Sequence, residues 1–89
     1  MAIVRFADSI QRHVECRTRE VDGATIGAVL DRYFQENEKA RGYVLDDQGR
    51  LRQHMAIFVD GLPIRDRKGL TDPVGADAVV DLIQALSGG

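Results

Sequence analysis

The sequence predicts one small α+β domain, a mixed sheet covered by a single main helix, and three features carry that expectation. Ile26, Val29, Leu30, Tyr33 and Phe34 recur at helical spacing. Met55-Ala56-Ile57-Phe58-Val59 is a continuous apolar run too short for a helix, and Ala78 to Leu86 is a second apolar stretch near the end of the chain. With 89 residues, 44% of them apolar, the chain has enough material for one core, and a fold of this size buries roughly 60–65% of its unfolded surface.

In chain order, Val4 and Phe6 alternate with Arg5 in a short first strand, a polar connection follows, and a second extended stretch is expected over Cys16 to Val21. Asp22-Gly23 turns the chain into the helix. Thr25 is the expected N-cap, because its hydroxyl can accept from one of the unpaired first-turn N–H groups. Asp31, Arg32, Gln35 and Glu36 fall on the wetter face, and the helix is expected to run through the charged segment 36–41 and stop at Gly42, in a left-handed C-terminal conformation. Tyr43-Val44-Leu45 and Arg50-Leu51-Arg52 flank the turn-forming Asp46-Asp47-Gln48-Gly49, which suits a small hairpin or an irregular excursion. The 55–59 run reads as a central strand buried on both faces and closed by an Asp60-Gly61 turn. Pro63 restricts Leu62 to Arg65 to a short edge strand. The loop from Asp66 to Asp77 carries Leu70 and Val74 as plugs for the core, and Ala78 to Leu86 is expected as a strand.

Charge excludes several functions. Twelve Lys+Arg against 14 Asp+Glu give a net charge of −2 and a pI near 5.6, so no overall attraction to a phosphate backbone or an anionic membrane exists, and neither nucleic acid nor membrane is an expected partner. Cys16 is the one cysteine, which excludes the disulfide-rich secreted class. The first residues lack the basic and long apolar regions of a signal peptide, so a cytoplasmic location is expected. His13 and Cys16 are too few for a zinc site and lack a third orienting group for nucleophilic catalysis. Gly23 and Gly27 lack the remaining residues of a phosphate-binding loop. Arg65, Arg67 and Lys68 form a basic cluster that could speed encounter with an acidic partner, but the expected arrangement is a solvated loop.

The distinctive feature is Ser87-Gly88-Gly89 directly after an apolar strand. From Gln84 onward, six extended residues reach roughly 20 Å, far enough to carry a terminal carboxylate into another protein's active site. Two residues without Cβ make a thin tail and leave the last carbonyl open to attack. Together with Asp22-Gly23-Ala24-Thr25-Ile26, the Met55 to Gly61 strand and turn, and Asp77-Ala78-Val79 leading to Ala85-Leu86-Ser87-Gly88-Gly89, this end resembles the MoaD/ThiS group of ubiquitin-like sulfur-carrier proteins over nearly the whole chain. One departure is Ala76 where the family commonly has Gly before the Asp, with one extra residue up to the diglycine. That leaves the register of the last strand open, and a bulge is one way to absorb the difference.

The resemblance implies a β-grasp fold over residues 1–86 and a Ser-Gly-Gly tail at 87–89. It implies that the chain is not an enzyme and holds no cofactor or metal, and that an E1-like adenylating enzyme spends ATP to make the Gly89 acyl-adenylate. That activation is needed because a carboxylate of pKa about 3.3–3.7 is ionised at pH 7 and a poor electrophile. Sulfur from a persulfide donor or sulfurtransferase then yields a C-terminal thiocarboxylate, which a sulfur-accepting enzyme of molybdopterin, cysteine or another sulfur metabolite's biosynthesis consumes. Gly89 would be the modified residue, Gly88 the conformational spacer, and Leu86 and Ser87 the residues gripped by each partner. Leu62 and Ile83 match the family's apolar docking positions; otherwise they are ordinary core residues. Two other functions fit the same chain: a ubiquitin-like modifier joined to lysines through Gly89, and a non-covalent β-grasp interaction domain. An iron–sulfur β-grasp protein is excluded, since such clusters need four thiolates.

Overall fold

A computed structural model describes residues 1–84. Strands β1 (Ala2–Phe6), β2 (Arg19–Val21), β3 (Met55–Val59), β4 (Leu62–Pro63) and β5 (Val79–Gln84) form one sheet in the order β2-β1-β5-β3-β4. β5 is central. It runs parallel to β1, from Ile3↔Val79 to Phe6↔Leu82, and antiparallel to β3, from Met55↔Gln84 to Val59↔Val80. Both registers advance residue by residue, so within the described residues no bulge absorbs the extra residue of the last strand. β3 coincides with the expected run, but it is second from the edge and Ala56, Phe58 and Val59 are only half-buried. One of its neighbours is a two-residue edge strand, which cannot cover it on that side. The β3–β4 turn forms as expected: Asp60 and Gly61 both have positive φ, 50° and 85°, the primed-turn conformation that Asp-Gly favours.

Among the described residues there are three helices, α1 (Asp8–Gln11), α2 (Ile26–Gln35) and α3 (Glu38–Val44). α2 is the expected helix, and all five residues of its apolar repeat are buried, each contributing about 1.5–3 kcal/mol relative to exposure. Thr25 caps it, its hydroxyl accepting from the Ala28 N–H at 3.2 Å. Gly23 permits the approach: a Cβ there would lie 2.8 Å from Val29 Cγ2 and 2.9 Å from the Val29 backbone nitrogen. The Phe6 and Tyr33 rings, 5.0 Å apart, join β1 to α2, and Val4, Val80, Leu82, Met55 and Ile57 complete the inner face of the sheet. Leu70 and Val74 are buried, as expected of plugs.

Three local expectations need correction. The connection after β1 contains α1, a single turn that buries Ile10, and β2 is only its last three residues rather than Cys16 to Val21. The main helix ends at Gln35 instead of reaching Gly42. Asn37 starts a new helix, its side-chain oxygen accepting from the Ala40 N–H at 3.2 Å while its amide donates to the Glu15 carbonyl at 2.7 Å. Gly42 therefore lies inside α3 with ordinary φ, and Tyr43 and Val44 are helical rather than extended. Of the expected hairpin only the Leu45↔Leu51 bridge remains, around a turn in which the Asp46 carboxylate accepts from the Gln48 and Arg50 N–H groups.

Candidate functional site

The site follows from where β5 ends. Gln84 is its last described residue and pairs with Met55 at the start of β3. The Gln84 side-chain oxygen accepts from the Tyr43 hydroxyl at 2.6 Å, tying the strand end to α3. The Tyr43 ring is stacked at 5.6 Å on His13 and meets His54 edge-on at 6.4 Å. Four separate segments thus converge at the point from which residues 85–89 continue. Neither Tyr43 nor Gln84 was expected at the site. The available signal was Asn37-Glu38 as a helix start, which puts Ala40, Tyr43 and Val44 at i, i+3 and i+4 on one inward face.

Leu62 and Ile83 are not core residues: Leu62 is 71% exposed and Ile83 39%. The sheet does not place them side by side. Ile83 stands opposite Ala56, whereas Leu62 stands opposite Val59, three residues further along β3; odd separation along a strand puts them on opposite parity. Between those rows the outer face carries Phe58, Asp81 and Arg5 in register. Arg5 and Asp81 form a two-pronged ion pair, Nε to Oδ1 at 2.7 Å and Nη2 to Oδ2 at 3.0 Å. Its signal in sequence was a charged residue at the outward position of each of two otherwise apolar strands.

Leu86, Ser87, Gly88 and Gly89, the residues assigned to tail recognition and modification, lie outside the described residues. The minor candidates resolve differently. Cys16 is buried, its thiol donates to the Val14 carbonyl at 3.4 Å, and burial pushes its pKa up to about 11, so it stays protonated and non-nucleophilic at neutral pH. Among the described residues no group of three or more His, Cys, Asp or Glu side chains is placed to hold a metal ion. No helix of the described residues is long and apolar enough to cross a membrane. The basic cluster of Arg65, Arg67 and Lys68 is taken apart. Arg67 donates to the carbonyls of Arg52 and Met55 at 2.9 and 2.7 Å, so it braces the loop as well as carrying charge.

Comparison with known proteins bears on the family and the fold. The ThiS family model matches residues 4–89. Among solved structures, SAMP1 of Haloferax volcanii is similar at a TM-score of 0.78 and 24% identity, covering 99% of this chain and 98% of its own. CysO of Mycobacterium tuberculosis is similar at 0.80 and 19%, covering 97% and 100%. The BexX/CysO complex of Amycolatopsis orientalis contains a chain similar at 0.77 and 22%, with 100% of both covered. A search of curated proteins finds no match. At these identities the structural likeness establishes the fold, a five-stranded β-grasp sheet of ubiquitin-like type.

Proposed function

The chain belongs to the ThiS family, and from that premise we propose that it is a sulfur carrier whose working group is the C-terminal carboxylate of Gly89. The observation that carries the reading is the reach of the family match through residue 89, which takes in the Ser-Gly-Gly end that follows a central strand bonded on both sides. In this reading an E1-like adenylating enzyme joins the Gly89 carboxylate to the α-phosphate of ATP, and pyrophosphate leaves. The terminal sulfur of a persulfide donor then attacks the acyl carbon and AMP departs. A second thiol cleaves the resulting acyl disulfide, leaving the thiocarboxylate and a donor disulfide. A sulfur-accepting biosynthetic enzyme takes the sulfur and returns Gly89 as the acid.

The globule's part is presentation. Gly88 supplies the slim, side-chain-free approach, Leu86 and Ser87 are the grip, and exposed Leu62 and Ile83 are the apolar contacts for docking. Partner enzymes are also consistent with the A. orientalis relative, which is found in a complex with BexX.

Intact-mass measurement after incubation with ATP, the adenylating enzyme and a sulfide source is the test. The expected product carries one sulfur in place of one oxygen at Gly89, and deletion of Gly88 and Gly89 abolishes it while leaving the unfolding midpoint unchanged. An unchanged mass with an enzyme shown to be active overturns the reading. Lysine-linked conjugates that survive reducing denaturation and disappear with Gly89 would replace it with the protein-modifier function.

A further inference from the structure

While dismantling the basic cluster expected at 65–68, the fold builds another from residues distant in sequence. Arg50, Arg52, Arg67 and Lys68 line one open cleft of about 640 Å³ together with His54, and Asp46 is the only carboxylate among its lining residues. This concentration of positive charge sits on a chain of net charge −2. It also sits at the start of β3, beside Met55 and hence beside Gln84.

Three of the four cations are fixed by side-chain bonds. Arg67 grips the 52–55 backbone through its guanidinium, and its own carbonyl accepts from the Leu51 N–H at 2.9 Å. Arg52 Nε donates to the Gly42 carbonyl at 3.0 Å. Arg50 Nε is paired with Asp46 at 3.1 Å. Asp66, two residues before Lys68, is occupied by its own loop, accepting from the Gly69 N–H at 2.8 Å and the Thr71 hydroxyl at 2.6 Å. Among the described residues neither Arg52 nor Lys68 forms an ion pair.

We propose that this cleft is a docking collar for an acidic segment of the partner protein that handles the chain's end. The collar rests on the carrier reading for the identity of that partner, though not for its chemistry. A protein surface fits better than a lone phosphate. The N–H groups already committed to backbone carbonyls cannot converge on one small anion, whereas cations spread along an open cleft match several carboxylates in a row. Such a field raises the rate of encounter more than it deepens the bound state, and its position beside Gln84 orients the approach toward the end of β5.

Two measurements test this. In an amide NMR titration with a short polyglutamate peptide at low salt, shifts are expected at residues 50–54 and 67–69, reversed by salt and lost in Lys68→Glu, which leaves every hydrogen bond named above in place. Shifts elsewhere, or none, overturn the collar. The same shifts produced by inorganic phosphate alone at equal charge would reassign it to a small-anion site. In the second measurement, Lys68→Glu and the double variant Arg50→Gln/Arg52→Gln associate roughly tenfold more slowly with the adenylating enzyme at low ionic strength. The difference vanishes near 1 M salt, where the screening length falls to about 3 Å. Equal association rates for wild type and both variants, with Gly89 still activated, sink the collar and spare the carrier function. An inactive wild type with the peptide shifts intact does the reverse.

Discussion

The sheet with α2 and the loops at 46–54 and 64–72 are held by different physics, although they share one small chain. The first is held by apolar burial: Val4, Leu30, Ile57, Val80 and Leu82 are at most 1% exposed. The second has few buried side chains and is held by polar side chains bonded to backbone. Asp46 closes one turn, Asp66 another, Asp72 accepts from the Arg65 and Asp66 N–H groups at 2.9 and 2.8 Å, and Arg67 ties the loop to the start of β3. The contrast separates what folds the protein from what shapes its surface near the end of β5. Core residues can be exchanged only at a cost to the whole molecule, whereas the loop can be altered with the fold intact.

Leu82→Ala strikes the first region hardest. It is expected to cost about 2–5 kcal/mol of a total of about 4–13 kcal/mol, read as a large drop in the urea midpoint with every amide affected. Arg67→Met strikes the second. Loss of its guanidinium strands the Met55 carbonyl and leaves the Arg52 carbonyl with only the Met55 N–H, costing about 1–3 kcal/mol, and hydrogen exchange should accelerate over residues 50–55 and 65–70 well before it does in β1. A global loss of protection from Arg67→Met, equal to that from Leu82→Ala, would erase the distinction between the regions.

Acid gives the smallest and most local effect. The Thr71 hydroxyl, then the Gly69 N–H, hold the Asp66 carboxyl below its ordinary range, and the Arg65 and Asp66 N–H groups do the same for Asp72. Because the folded values lie below the unfolded ones, this stabilisation is complete above the ordinary carboxylate pKa of about 3.9 and is lost as pH falls through the lowered values. Amide exchange at Lys68, Gly69 and Thr71 should therefore depart from that of the β-sheet only in that acid range, and Asp66→Asn should bring the departure to neutral pH.

The same division explains what could be read from the chain. Ile26, Val29, Leu30, Tyr33 and Phe34 announce α2 because burial imposes a period, and Asp60-Gly61 announces its turn because few residue pairs tolerate two positive φ values. Leu70 and Val74 were recognisable as isolated apolar residues in a polar loop. The break at Asn37 was hidden because the same charged segment suits a continuous helix, and its resolution depends on a bond to the distant Glu15 carbonyl. Arg65, Arg67 and Lys68 looked like one patch because they are neighbours in sequence. Their separation needed the carbonyls of 52–55, which no local pattern reveals. At the candidate site, the exposure of Leu62 and Ile83 depends on pairing across the sheet and the grip of Tyr43 on Gln84 on packing of α3 against the strand end, while the diglycine was visible directly.

The central position of β5 has a mechanical consequence. Any enzyme that draws the last residues into a narrow channel pulls along the axis of a strand bonded to β1 on one side and β3 on the other. Such a tug loads both ladders in shear, with many bonds sharing the force at once, instead of peeling them open one by one as it would from an edge. On the proposed function, this makes the globule a rigid anchor for its own end.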